Sequence, residues 1–193
     1  RKMLRPIPKL TALKLPTRVN TETLAAAISE NATERSMEKN TKFRSCTVRL
    51  GGSHYRCLAT NMYRLLLLPC EHNDKPDPDL QAVIPEIKNS ITLELEFYRA
   101  LRLAQIIVED SVTICVTRSG VRVQSSNRYG EEFETLIDCA SPPCPQFSLN
   151  PGYLIPVCAA GCSLFYANDP DKPVCVTGPG FAYVLMPLRS SGV

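Results

Sequence analysis

The spacing of apolar and polar positions changes along this chain, and the changes mark out its elements. Leu24, Ala25, Ala27 and Ile28 share one face at helical spacing behind Thr21, a good N-cap type, so a helix is expected there. Residues 29–42 lose the stripe and read as the helix end plus a loop. Arg44–Leu50 and His54–Ala59 flank Gly51-Gly52 as a hairpin, and Arg64–Leu68, closed by Pro69, reads as a third strand. Glu71–Asp79 is a polar, Pro-containing loop. Val83-Ile84-Pro85 reads as a short strand. Residues 89–107 predict a helix with Leu93, Phe97, Ala100, Leu101 and Ala104 on one face. Ser111–Thr117 and Val121–Ser125 form a second hairpin about Arg118-Ser119-Gly120, Phe133–Asp138 reads as a strand, and Ser141–Pro145 as a hard break. Tyr153–Val157 is a poor helical turn, burdened by Pro151, Gly152 and Pro156. Ser163–Ala167, Pro173–Thr177 and Ala182–Leu188 read as closing strands.

Helix followed by strands thus recurs about three times without repeated residues. That order predicts an α+β fold with antiparallel sheets and helices gathered on one face. Residues 1–18, with Pro6, Pro8 and Pro16 among basic side chains, read as a linker or edge segment.

Composition narrows the classes. A hydrophobic share of 44% over 193 residues supports a real core. The pure apolar run Leu65–Leu68 is far short of the roughly 20 residues of a membrane span. The chain begins at Arg1 with no signal-peptide pattern, which leaves room for upstream sequence. Nine cysteines contain no CxxC pair and have only His54 and His72 beside them, so zinc is not expected. They read instead as small hydrophobes in a reduced, cytoplasmic interior, as Cys115 does within Val112–Val116. Net charge is +3, but Arg1, Lys2, Arg5, Lys9, Lys14 and Arg18 precede the first acid, Glu22. Such an arm either touches phosphates or is simply solvated. There is no GxSxG, Walker loop or HExxH, and no Cys–His spacing, so no catalytic residue and no cofactor is expected.

The C-terminal run Asp169-Pro170-Asp171-Lys172-Pro173-Val174-Cys175-Val176, followed by Phe181-Ala182-Tyr183-Val184-Leu185-Met186-Pro187-Leu188-Arg189, resembles the end of the bacterial DNA polymerase III β sliding clamps. That family closes with DPxxPVxI and then YxYxxMPxR. Phe147–Leu154 is similar to its F-N-x-x-Y-L element. Leu58-Ala59-Thr60-Asn61-Met62-Tyr63-Arg64-Leu65 resembles its A-T-D-G-H-R-L element, and Val83-Ile84-Pro85 the V-I-P that follows. Asn61, Met62 and Tyr63 stand where the family has Asp, Gly and His, and the chain is much shorter than a complete three-domain clamp.

The resemblance implies a DNA-clamp fold, with a middle-type domain over 19–145 and a shortened last-type domain over 146–193, or a split near residue 90. It implies a non-enzymatic processivity factor that encircles double-stranded DNA as a homo-oligomeric ring. In the other reading the chain is a clamp-like regulatory module without a ring. Partner peptides, from DNA polymerase or the clamp loader, are expected in a groove formed by Thr60, Met62, Arg64 and Leu65 with Val184, Met186, Pro187, Leu188 and Arg189. Tyr153 and Phe43 would lie beside it. Duplex DNA is expected along Arg99 and Arg102, three apart on one helix face, with Lys88 at the helix entrance. The same face also reads as ordinary solvated surface. Arg35, Lys39 and Lys42 are weaker pore candidates, in the loop expected after the first helix.

Overall fold

The computed structural model describes residues 12–71, 74–86, 88–107, 111–138 and 144–189. The arm before Ala12, His72, Cys139 and residues 141–143 of the expected break lie outside them.

Helix α1 spans Thr21–Glu30 and buries Leu24 and Ile28. Its cap is Asn20 rather than Thr21: Asn20 is extended, and its side-chain oxygen accepts the Thr23 N–H at 3.0 Å. The loop expected next is a second helix, α2, over Glu34–Phe43. It has no apolar stripe, and its hold on the fold is tertiary. Phe43 is buried at its end, and the Asn40 side chain accepts the Thr60 N–H at 3.1 Å. Glu34 in the first turn and Lys42 in the last also suit the helix dipole.

Strands β1 (Thr47–Leu50), β2 (Ser53–Thr60) and β3 (Arg64–Pro69) form an antiparallel meander. Gly51 and Gly52 both have positive φ, the conformation a two-residue hairpin requires there. A short helix, α3 (Pro78–Gln81), follows, started by Pro78 and capped by Asp77. Val83–Pro85, expected as a strand, is the irregular exit of that helix. The helix expected over 89–107 is divided. Asn89–Thr92 is strand β4, drawn into the ladder by β9, and only Leu95–Ile107 is helix, α4.

Strands β5 (Val112–Thr117), β6 (Gly120–Ser126), β7 (Glu132–Ile137) and β8 (Cys144–Leu149) come next. Cys144 and Pro145, assigned from sequence to a break, begin β8. They sit beside a register irregularity against β5, where a proline is tolerated. Helix α5 (Pro151–Leu154), a 3₁₀ turn (Ile155–Val157), β9 (Ser163–Tyr166), β10 (Val174–Gly178) and β11 (Phe181–Leu185) complete the order. The last strand stops before Pro187 instead of running to Leu188.

Two antiparallel sheets result, one ordered β1-β2-β3-β11-β10-β9-β4 and the other β7-β6-β5-β8. The larger core lies between them with α1 and α4, and includes Leu66, Phe97, Leu101, Ile114, Tyr166 and Tyr183. A second, smaller core covers the opposite face of the seven-stranded sheet. There Leu65, Leu67, Cys175, Ala182 and Val184 meet Phe43 from α2 and Leu80 from α3. The leucine run of β3 follows from this: alternate leucines enter different cores, so both faces of the strand are apolar. Leu67→Ala is expected to cost about 2–5 kcal/mol, read as a lower urea midpoint. A cost under about 1 kcal/mol would contradict close packing of the smaller core.

Candidate functional site

The smaller core is incomplete where β3 and β11 run side by side, and the gap is a cavity of about 300 Å³. Strand register sets its floor. Leu65 is paired with Thr60 on one side and with Val184 on the other. Past the end of β11 the Met186 N–H still donates to the Tyr63 carbonyl at 2.8 Å, so the two segments stay joined through the mouth. Phe43, Leu80 and Val83 form walls, Met62 and Met186 stand partly exposed at the opening, and Lys39, Lys42 and Asp79 edge it.

Thr60, Met62, Arg64, Leu65, Val184, Met186 and Phe43, named from the sequence, therefore surround one cavity. Pro187, Leu188 and Arg189 are not in its lining. Leu188 instead bridges to β8, its N–H donating to the Ser148 carbonyl at 2.8 Å. Tyr153 lies on the far side of Arg64, its ring 4.2 Å from the guanidinium carbon. There a second groove runs between α1 and α5, lined by Asn20, Leu24, Ala27, Tyr153 and Pro156, and Arg64 borders both spaces.

Arg64 is buried, at 5% exposure. Its guanidinium donates to the Ala27 carbonyl at 2.8 Å, while its Nε has no partner among the described residues. The nearby Tyr183 hydroxyl is also buried, with no hydrogen bond of good geometry to a described residue, although Arg64 lies close enough to pull on it electrostatically. Burial pushes the Tyr183 phenol up to about 12, against the opposing pull of the Arg64 charge. At the rim, Lys42 pairs with Asp79 at 2.8 Å. This hydrogen-bonded pairing holds the Asp79 carboxyl below the usual carboxylate range, with a smaller contribution from Lys39.

Sequence reasoning missed Leu80, Val83 and Asp79 as lining residues, and it placed Lys39 and Lys42 in a loop as weaker pore candidates. Their position depends on α2 and α3, whose sequences carry caps and charges but little apolar period. Of the basic residues assigned to DNA, Arg99 is half-buried on α4, with its guanidinium 3.5 Å from the Leu13 carbonyl it donates to. Arg102 is half-buried one turn further on. Lys88 precedes β4 rather than the helix, and is ion-paired with Glu86.

No protein-family model and no curated protein sequence matches the chain. Solved structures do. The DNA polymerase sliding clamp of Caulobacter crescentus matches with a TM-score of 0.56 at 23% identity, over 75% of this chain and 56% of that one. The DNA polymerase III β subunit of Thermotoga maritima matches at 0.62 and 15%, over 96% and 70%. A Bartonella birtlesii sliding clamp bound to griselimycin matches at 0.62 and 14%, over 95% and 70%. The fold is that of the DNA polymerase III β sliding clamp. This chain spans only 56% of the length of the Caulobacter clamp.

The segment that resembles A-T-D-G-H-R-L forms the turn between β2 and β3. Asn61 takes the Asp position, and its side-chain oxygen accepts the N–H groups of Tyr63 (3.3 Å) and Arg64 (3.2 Å). Met62 takes the Gly position at φ 72°, a left-handed conformation that costs an L-residue about 1–2 kcal/mol. At this left-handed position the chain thus carries a flexible apolar side chain that lines the cavity.

Met62→Gly is expected to leave stability unchanged or raise it by up to about 1 kcal/mol, because relief of the left-handed strain exceeds the added chain entropy. Urea denaturation checks this, and a loss of more than about 1 kcal/mol would show that the side chain holds the turn. Tyr183 gives a pH signature. Its folded pKa, about 12, lies above the ordinary 10, so its contribution is complete below pH 10 and is lost as pH rises towards 12. The slope is at most about 1.4 kcal/mol per pH unit. Cys57 and Cys175, also pushed to about 12 by burial, act in the same direction from pH 9 upward. Tyr183→Phe is expected to be near neutral at pH 7, since the hydroxyl makes no well-formed hydrogen bond to a described residue, and to flatten the alkaline fall. Identical urea midpoints against pH for both proteins would exclude Tyr183 as a source.

Proposed function

We propose that this protein is a clamp-like, non-catalytic module that captures short apolar-anchored segments of partner proteins. The observation that carries the reading is the cavity at the β3–β11 junction, with an aliphatic floor fixed by strand pairing and two partly exposed methionines at its mouth. A small apolar pocket concentrates binding on one or two anchoring side chains, and methionine adapts to several of them. Partners of this kind include DNA polymerase and clamp-loader subunits. The test is fluorescence anisotropy with a labelled QLSLF peptide. Met186→Glu is expected to abolish binding with the circular dichroism spectrum unchanged, because Met186 is 36% exposed. Leu65, at 4%, is unsuitable because a charge there would threaten the fold itself. Unchanged affinity in Met186→Glu would remove the groove from the proposal.

A second reading, a DNA sliding clamp or processivity factor that surrounds duplex DNA as a homo-oligomeric ring, is favoured by the fold and by Arg99 and Arg102 one turn apart on α4. Arg99 is already engaged with Leu13, which leaves Arg102 the stronger phosphate candidate of the two. This reading expects a ring-sized species in sizing chromatography, and DNA binding that ignores sequence and weakens steeply with salt. Arg99→Glu with Arg102→Glu should weaken that binding. A monomer indifferent to duplex DNA would leave the peptide module alone.

A further inference from the structure

The groove of the proposed peptide module is apolar within but charged at one edge, and the charge is unbalanced. Its lining includes Lys39, Lys42 and Arg64 against a single carboxylate, Asp79. Asp77 also lies near Lys42, but its carboxylate caps α3 by accepting the Leu80 N–H at 2.9 Å. Lys42 is held by Asp79 and lies over the Phe43 ring, its Nζ 4.9 Å from the centroid. Arg64 is buried and donates to the Ala27 carbonyl. Lys39, one turn before Lys42 on α2, is exposed at the same edge and makes no ion pair with a described residue. Arg64 turns to the Ala27 carbonyl behind the wall and Lys42 is paired with Asp79, which leaves Lys39 as the exposed cation at this edge with no ion pair among the described residues.

We propose that Lys39 determines specificity in this groove, selecting an acidic segment in which a carboxylate flanks the apolar anchor. The inference rests on the peptide-groove reading above and adds the charge of the occupant. An anchor in the cavity at the Leu65–Val184 floor brings its flanking residue to the α2 edge. A carboxylate there meets the exposed Lys39, whereas a basic residue meets its unpaired positive charge. Its place on α2, anchored at its end by buried Phe43, keeps the Lys39 backbone at this edge. An exposed pair of this type changes affinity a few-fold, enough to rank partners rather than to create binding.

The experiment compares labelled QLSLF and ELSLF peptides on the full chain by fluorescence anisotropy, at low and high salt. The expected result is a preference of about two- to five-fold for ELSLF at low salt, shrinking at high salt. Lys39→Gln should erase the preference and Lys39→Glu should invert it, each read as the ratio of the two affinities measured on the same variant. Equal affinity of the wild-type protein for the two peptides overturns the role of Lys39 and leaves the groove standing. Persistence of the preference in Lys39→Gln also overturns it. Failure of both peptides to bind overturns the groove reading and this inference together.

Discussion

The antiparallel pairing of β3 with β11 is the contact on which the rest of the molecule depends. It joins strands more than a hundred residues apart into one seven-stranded sheet. The loop it closes is long, so its entropic cost must be met by burial on both sides of the pair. Leu66, Tyr183 and Leu185 bury into the larger core, and Leu65, Leu67 and Val184 into the smaller. A one-residue slip would exchange the two sets, moving Tyr183 and Arg64 into the smaller core and opening the groove floor. Fold and site therefore share one register.

The turn between β2 and β3 supports that register from the side. Three groups converge on the Arg64 backbone: the Asn61 side chain accepts its N–H, while its carbonyl accepts from the Asn61 N–H and the Thr60 hydroxyl. This local satisfaction tolerates Met62 in a left-handed conformation that an unsupported turn would reject. It also sends the Arg64 side chain away from the groove floor, to the Ala27 carbonyl and the Tyr153 ring. Arg64 consequently ties α1 and α5 to the sheet directly behind the cavity. Its role in any binding is first to hold the wall in place.

Much of this was legible in the sequence where pattern and chemistry agreed. The leucine run, the Gly51-Gly52 hairpin and the Met-Pro-x-Arg ending each mark local structure, and together they named the two strands that meet at the groove. The elements that escaped are those set by distant partners. Asn89–Thr92 has helical neighbours in sequence but is claimed by β9, and α2 has almost no apolar face for periodicity to find. Pro187, Leu188 and Arg189 belong to the family motif, yet the chain turns towards β8 once the proline ends the ladder, and motif membership did not reveal that turn. Tyr153, expected beside the groove, lies against Arg64 on the other side of the wall and is not in the cavity's lining.

An apolar cavity of about 300 Å³ should tend to collapse, and the way it is bounded explains why this one stays open. Its floor is hydrogen-bonded ladder, which cannot move inward without breaking register. Its walls come from two helices anchored elsewhere, α2 by Phe43 and Asn40, α3 by the Asp77 cap and buried Leu80. The Lys42–Asp79 pair crosses between those helices and adds little stability at an exposed position, but it spans the two walls at one spacing. The parts free to move are the side chains of Met62 and Met186 at the mouth. A rigid floor with flexible thioethers at the rim lowers the ordering cost of binding while still accommodating different anchors, and in this chain the two properties reside in separate residues.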